Sequence, residues 1–138
     1  MVKLEGERAK KRHAHWERIV MAASLQSERA VLPKVCEIGL LEGTLAQLKQ
    51  SHPKAKLLWF TPHAEHTLGN WSGNASATAD GPLIVCVGPE GGWSARETEQ
   101  AASMGALPLK FSNRILRTET FAIACLSQLT ARLGLDPI

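Results

Sequence analysis

The stretch that most constrains this chain runs from residue 82 to residue 105. Six apolar residues in unbroken succession, Pro82-Leu83-Ile84-Val85-Cys86-Val87, lead straight into Gly88-Pro89-Glu90-Gly91-Gly92. An uninterrupted apolar run of strand length suits a strand buried on both faces of a parallel sheet. Ser94, with Glu97 three residues on, is a capping-box pair that opens a helix to about Met104, and Gly105 closes it. Strand, glycine turn and helix form the repeating unit of α/β folds. The turn then lies at the carboxyl end of the strand, where open sheets bind their ligands.

Other segments fit the same scheme. Residues 5–25 lack proline and place Trp16, Ile19, Val20 and Ala23 at helical spacing, with Arg8, Lys11, Arg12 and His15 on another face. That pattern predicts an amphipathic helix. A polar turn follows, in which Gln26, Ser27 and Arg29 have no evident structural need to occur together, and Pro33 leads into a short extended run at 34–38. A weaker helix is expected over 41–50, stopped by Ser51-His52-Pro53. Residues 56–60 (KLLWF) and 107–111 read as strands, and 67–81 as a mobile surface loop containing Trp71. The last helix, 118–133, carries Phe121, Cys125, Leu129 and Leu133 on one stripe and ends at Gly134. Strands alternate with helices, so the expected class is α/β. Three good strands and one weak one are few for a sheet covered on both faces. Completion by a partner chain or by N-terminal units is therefore expected.

A length of 138 residues reads as a single domain, able to bury a core without disulfide or metal. A 44% hydrophobic content excludes a disordered chain. No apolar run approaches the ~18 residues of a membrane helix, and the polar, basic opening offers no secretory signal. Cys36, Cys86 and Cys125 each sit in an apolar run and read as reduced core thiols of a cytoplasmic protein. The formal excess of +3 lies wholly in residues 1–18, six basic against three acidic. Such a stripe suits a polyanion partner, and equally a solvated helix face.

Two turns are candidates for chemistry. The glycines of 88–92 allow close backbone approach and positive φ. No Gly-Lys-Ser/Thr follows and the spacing is not G-x-G-x-x-G, so this is neither phosphate-binding signature. Glu90 would repel a phosphate and suits hydroxyls, an amine or a cationic ligand. A merely tight structural turn is the alternative. The second candidate is Asn113-Arg114-Ile115-Leu116-Arg117-Thr118-Glu119-Thr120, again between a strand end and a helix start. N-capping by Thr118, with Glu119 set against the helix dipole, accounts for those two residues. It does not account for Arg117, whose charge is unfavourable there unless a partner offsets it. Trp16 and Trp59 read as core, whereas Trp93 and Trp71 are placed to stack on a base or lid a pocket. His63-x-x-His66 with Glu65 has partial metal spacing but no third ligand, and no metal is expected.

VGPEGGWSARE (87–97), NRILRTETFA (113–122) and HWERIVMAASLQSERAVLP (15–33) resemble motifs of the ribosomal RNA small subunit methyltransferase E family. The resemblance implies an S-adenosylmethionine-dependent enzyme that methylates ring N3 of a uridine in the 16S rRNA of the small ribosomal subunit. It also implies a SPOUT-type α/β knot, a deep trefoil and so an exception to unknotted topology. The enzyme would be a homodimer with no membrane or metal partner. Three loops would hold the cofactor, mostly by backbone groups. The first is the end of KLLWF, Phe60 through Pro62; the second is Val87, Gly88, Pro89, Glu90, Gly91 and Gly92. Asn113, Ile115, Leu116, Arg117 and Thr120 belong to the third.

By the same resemblance Arg117 would stabilise a uracil anion, and Glu90 would hold its loop or a cofactor hydroxyl. Arg29, reaching in from the partner subunit, would grip substrate phosphate, with Arg8, Lys11 and Arg12 as further RNA contacts. Two departures stand out. The family usually has glycine just before the Asn113 position, where this chain has Ser112. Family members also begin with a PUA-like β-barrel and earlier strand–helix units, so this sequence reads as the C-terminal portion. A rival reading from another class keeps the knotted fold as a non-catalytic RNA-binding or assembly module. A nucleotide-dependent enzyme using GPEGG for phosphate is disfavoured by Glu90 and the missing lysine.

Overall fold

Within residues 41–137 the organising element is β1 (Lys56–Phe60), the middle strand of a three-stranded parallel sheet. The computed structural model describes residues 6–73 and 81–134. Among them β1 is flanked by β2 (Leu83–Val87) on one side and β3 (Leu107–Leu109) on the other. Alternate side chains of β1 point to opposite faces. Leu58 and Phe60 enter a core with Leu109 and with the buried stripe Phe121, Cys125, Leu129 and Leu133 of α4 (Thr118–Leu133). Leu57 and Trp59 enter a second core with Leu45 of α2 (Leu41–Ser51), Cys86, and Ala101 of α3 (Ala95–Ser103). Helices thus cover both faces of the sheet, and each large side chain so buried contributes about 1.5–3 kcal/mol.

Several expectations hold. The sheet is parallel in an α/β order, α3 begins with the reciprocal Ser94–Glu97 capping box, and Gly134 ends α4 in the left-handed region at φ 62°. Both the backbone and the hydroxyl of Ser94 donate to the Glu97 carboxylate, which holds that carboxyl below its usual pKa. Other expectations are corrected. The apolar run at 82–87, expected to be buried on both faces, supplies β2 beside the middle strand β1, and in β2 only Cys86 is buried. Strand β3 stops at Leu109, two residues short of the expected 111.

The run taken for a mobile loop contains a 3-10 turn, Leu68–Asn70, capped by the Thr67 hydroxyl accepting from Asn70 N–H at 3.2 Å. Leu68 and Trp71, three residues apart, both face the core from this turn, so Trp71 is not a lid. Arg132 of α4 fixes the segment by donating to the carbonyls of Gly69, Trp71 and Gly73. Residues 74–80 of the expected loop lie outside the described residues.

The other compact unit, residues 1–40, is built on α1 (Glu7–Gln26). The expected first helical residue, Glu5, lies outside the described residues. Trp16, expected in the core, is 40% exposed, and Ile19 is 52% exposed. Periodicity identified the helix but not what covers its apolar face. The run 34–38 pairs with no strand among the described residues; His13 Nε2 donates to the Val35 carbonyl at 3.2 Å instead.

Helix α1 closes in a Schellman arrangement, with Arg29 N–H on Ser24 O at 3.0 Å and Glu28 N–H on Leu25 O at 3.3 Å. Glu28 takes the left-handed φ of 55° that glycine usually supplies there, at a cost of roughly 1 kcal/mol. Ser27 now has a structural use, since its hydroxyl donates to Ala23 O at 2.8 Å.

The cysteines divide. Cys86 and Cys125 are buried, and burial pushes both thiols up to about 11, whereas Cys36 is exposed rather than core. Thiolate is the reactive form. At about pH 8 the native chain should therefore react rapidly with an aromatic disulfide reagent at one thiol, and at all three after unfolding. Rapid reaction of two or more native thiols would contradict this packing.

Candidate functional site

The last residues of the three strands lie in register, Phe60 beside Val87 and beside Leu109. Because the strands are parallel, the segments leaving them start from one edge of the sheet. There they enclose a cavity of about 350 Å³, within the range of roughly 300–1,000 Å³ typical of small-molecule sites. Phe60, Pro62 and His63 line it from the first segment, and Val87 through Trp93 from the second. From the third come Lys110 through Ser112 and Arg114 through Thr118, with Phe121 behind them.

The glycine turn is shaped by its neighbours. Gly92 N–H donates to Pro89 O at 2.8 Å, and Gly92 adopts φ 73°, a conformation that side chains resist. A Cβ at Gly88 would come within 3.1 Å of the Trp93 indole. That indole is stacked on Trp59 with centroids 3.9 Å apart, and its N–H donates to Phe60 O at 2.8 Å. Trp93 is therefore a tie between the end of β1 and the glycine turn, with one ring face already taken. Gly91 differs from both neighbours. It has no left-handed φ, and a Cβ there would meet nothing within 4 Å. The packing of the chain alone does not require glycine at 91.

Thr118 does not cap α4. The N-cap is Arg117, with extended φ/ψ and no side-chain cap, and Thr118 is the first helical residue. Its hydroxyl points at the glycine turn, 3.2 Å from Glu90 Oε1 and 3.5 Å from Gly88 O. One hydroxyl proton serves one acceptor at a time, and the charged carboxylate is the stronger and nearer. The carboxylate also gains from standing at the positive end of α4. This bond joins the two candidate turns across 28 residues of sequence.

The cavity thus gathers Phe60, Pro62, Val87, Gly88, Pro89, Glu90, Gly91 and Gly92 with Ile115, Leu116 and Arg117. Asn113 and Thr120 are exposed and do not line it. Ile115 lines it while remaining 85% exposed. Arg8, Lys11, Arg12 and Arg29 are exposed residues of the first unit. Sequence reasoning missed Lys110, the tie made by Trp93 and the bond made by Thr118, and it placed Arg114 in the second candidate turn without a role. For Thr118 the expected N-cap role accounted for the hydroxyl and left no sign of its partner. Lys110 had no signal, because it falls inside the strand expected over 107–111, whereas β3 ends at Leu109. Ser112 closes its turn through its side chain, accepting from Arg114 N–H at 3.0 Å and donating to Arg114 O at 3.2 Å. Among the described residues no three His, Cys, Asp or Glu side chains group as a metal site, and no helix is long and apolar enough to cross a membrane.

The sequence pattern of the RNA methyltransferase domain matches residues 1–130. The chain belongs to the RNA methyltransferase domain family. It is 32% identical over 124 residues to ribosomal RNA small subunit methyltransferase E of Buchnera aphidicola, covering 90% of this chain and 47% of the relative. Its identity to the Bacillus subtilis protein of the same name is 29% over 131 residues, 94% of this chain and 51% of the relative. The solved methyltransferase E of Neisseria gonorrhoeae, bound to S-adenosyl methionine, superposes with a TM-score of 0.78 at 30% identity. That match covers 95% of this chain and 52% of the Neisseria one. A Legionella pneumophila protein in complex with bound SAM gives 0.78 at 29%, over 95% and 50%. The chain spans about half the length of the curated relatives it matches.

In this methyltransferase-family domain the bond from Thr118 to Glu90 should be measurable as a coupling. Thr118→Val is expected to cost about 0.5–1.5 kcal/mol in urea unfolding, with Thr118→Ser recovering most of it. A double-mutant cycle with Glu90→Ala should return a coupling of roughly 0.5 kcal/mol or more. Strict additivity would mean that the two turns are not joined this way.

Proposed function

We propose that this chain is the cofactor-binding, methyl-transferring portion of an enzyme that methylates ring N3 of a uridine in 16S rRNA, within the small ribosomal subunit and in the cytoplasm. The observation that carries the reading is that two turns far apart in sequence line one cavity and are bonded to each other through Thr118 and Glu90. Residues 1–138 are read as one methyltransferase domain of SPOUT type with its C-terminal segment in a trefoil knot. The remaining strand–helix units and a PUA-like barrel are assigned to the half of the relatives' length that this chain does not match. Self-association as a homodimer is favoured by the outward side chains of α4, Ile123 (75% exposed) and Leu126.

The cavity suits S-adenosylmethionine. Aromatic and apolar walls (Phe60, Leu116, Phe121) fit a purine and the methylenes beside its sulfonium, and Glu90 fits a hydroxyl or an ammonium. At Gly91 the missing Cβ leaves room for close approach to the backbone. Asn113 and Thr120, outside the cavity lining, make no direct contact in this reading. When bound, the cofactor supplies an electrophilic methyl group, and the protein supplies position and charge.

Ring N3 of uracil carries a proton that must leave before or as the new N–C bond forms, so negative charge develops on the base. Arg117 lines the cavity and stabilises that charge with its fixed planar donors. Glu90, held by Thr118, keeps the glycine turn in place. Arg29, from the partner subunit, and Arg8, Lys11 and Arg12 serve as phosphate contacts.

Calorimetry of the 138-residue chain with S-adenosylmethionine and S-adenosylhomocysteine tests the reading. Both should bind, and Gly91→Ala should weaken them by roughly tenfold, about 1.4 kcal/mol, with an unchanged urea midpoint. In a full-length enzyme carrying these residues, Arg117→Ala should slow methylation of ribosomal subunits by about 100-fold. RNA binding with no cofactor binding would instead favour the non-catalytic module.

A further inference from the structure

The charges around the cavity do not match the proposed cofactor alone. Lys110, Arg114 and Arg117 all line it, and the one carboxylate in the lining, Glu90, already accepts a hydrogen bond from Thr118. The ion pairs among the described residues are Lys10–Glu7, His13–Glu17 and Arg96–Glu42, so among those residues no carboxylate is paired with any of the three cavity cations. S-adenosylmethionine carries a sulfonium and an ammonium against a single carboxylate. One cation can match that carboxylate, while two more repel the sulfonium. Arg117 has a stated role toward the base. Lys110 and Arg114 are left over, and they weaken cofactor binding unless a polyanion shares the site.

Both stand on fixed backbone. Lys110 extends the sheet edge, with its N–H on His66 O at 2.9 Å, its carbonyl accepting from Leu68 N–H at 2.8 Å, and a parallel bridge to Thr67. Arg114 has its N–H and its carbonyl both bonded to the Ser112 hydroxyl. Charges carried on such anchors lose less freedom on binding than charges on loose loops.

We propose that Lys110 and Arg114 form a phosphate-binding rim that receives the backbone of single-stranded or looped RNA flanking the base that enters the cavity. The substrate class rests on the methyltransferase reading; the rim itself rests on the unpaired charges and their anchoring. Recognition of this kind is sequence-tolerant and salt-dependent, and it holds an unstacked base at the site.

The test is RNA binding by the 138-residue chain, followed by fluorescence anisotropy of a labelled RNA hairpin across a salt series. Lys110→Gln and Arg114→Gln, which keep side-chain bulk, should each flatten the slope of log K against log salt by about 0.7. The double variant should lose about twice that. Lys110→Arg and Arg114→Lys should retain the wild-type slope. Arg96→Gln, which removes a charge already paired with Glu42, is the control and should change it little. An unchanged slope in the double variant overturns the rim. So does an equal change in the control, or a wild-type chain with no salt-dependent RNA binding. Calorimetry with S-adenosylmethionine on the same samples separates the two readings. Its failure in the wild type removes the methyl-donor proposal and leaves the salt slopes to decide the rim.

Discussion

Parallel register at one sheet edge is the constraint on which the rest depends. In an antiparallel pair, successive strand ends alternate between the two edges. Here three parallel strands finish side by side at Phe60, Val87 and Leu109, so three segments widely separated in sequence must leave from one place. What fixes that register is the burial of β1 on both faces, with Leu58 and Phe60 against α4, and Leu57 and Trp59 against α2 and α3. A slip of one residue would exchange the two sets of side chains and cost both cores at once. Position at the site is therefore maintained by hydrophobic burial some distance from any reacting group.

On that frame the three glycines of the 88–92 turn answer to three different demands. Gly88 makes room for the Trp93 indole, which stacks on Trp59 and bonds to Phe60, tying the turn to the middle strand. Gly92 supplies a left-handed φ that closes the turn onto Pro89. Gly91 satisfies neither need, and its open side belongs to the cavity lining. The first two are explained by folding; only the third points to a ligand. Adjacent residues of one type in one short motif thus divide between architecture and site.

How far the sequence could be read depended on whether the deciding interaction was local. Helix and strand identities, the α3 capping box and the α4 stripe of Phe121, Cys125, Leu129 and Leu133 are set by neighbours within four residues, and they were legible. The placement of Trp71 was not, because it packs in one core with residues of α4, the first of which, Phe121, lies 50 residues further along. Nor was the rank of β1 over β2, since an apolar run reports cover above and below the sheet and not lateral position. Trp16 and Cys36 were expected inside because helical or apolar context marks a face without naming what covers it. Thr118 was the instructive error. A hydroxyl before a helix is so well explained by capping that its partner 28 residues back, Glu90, could not be suspected from order alone.

The same bond bears on how a site with conflicting charges can hold together. Glu90 lines a cavity shared with Lys110, Arg114 and Arg117, yet it makes no ion pair with any of them among the described residues. Its hydrogen bond from Thr118 and the positive end of α4 satisfy it locally. The carboxylate is thereby kept at the glycine turn, and none of the three cations pairs with a carboxylate among the described residues. Had Glu90 instead paired with Arg117, the guanidinium would be partly neutralised and the turn would lose its tether. Separating one negative from several positive groups by means of a neutral hydroxyl lets a single small cavity present both signs of charge.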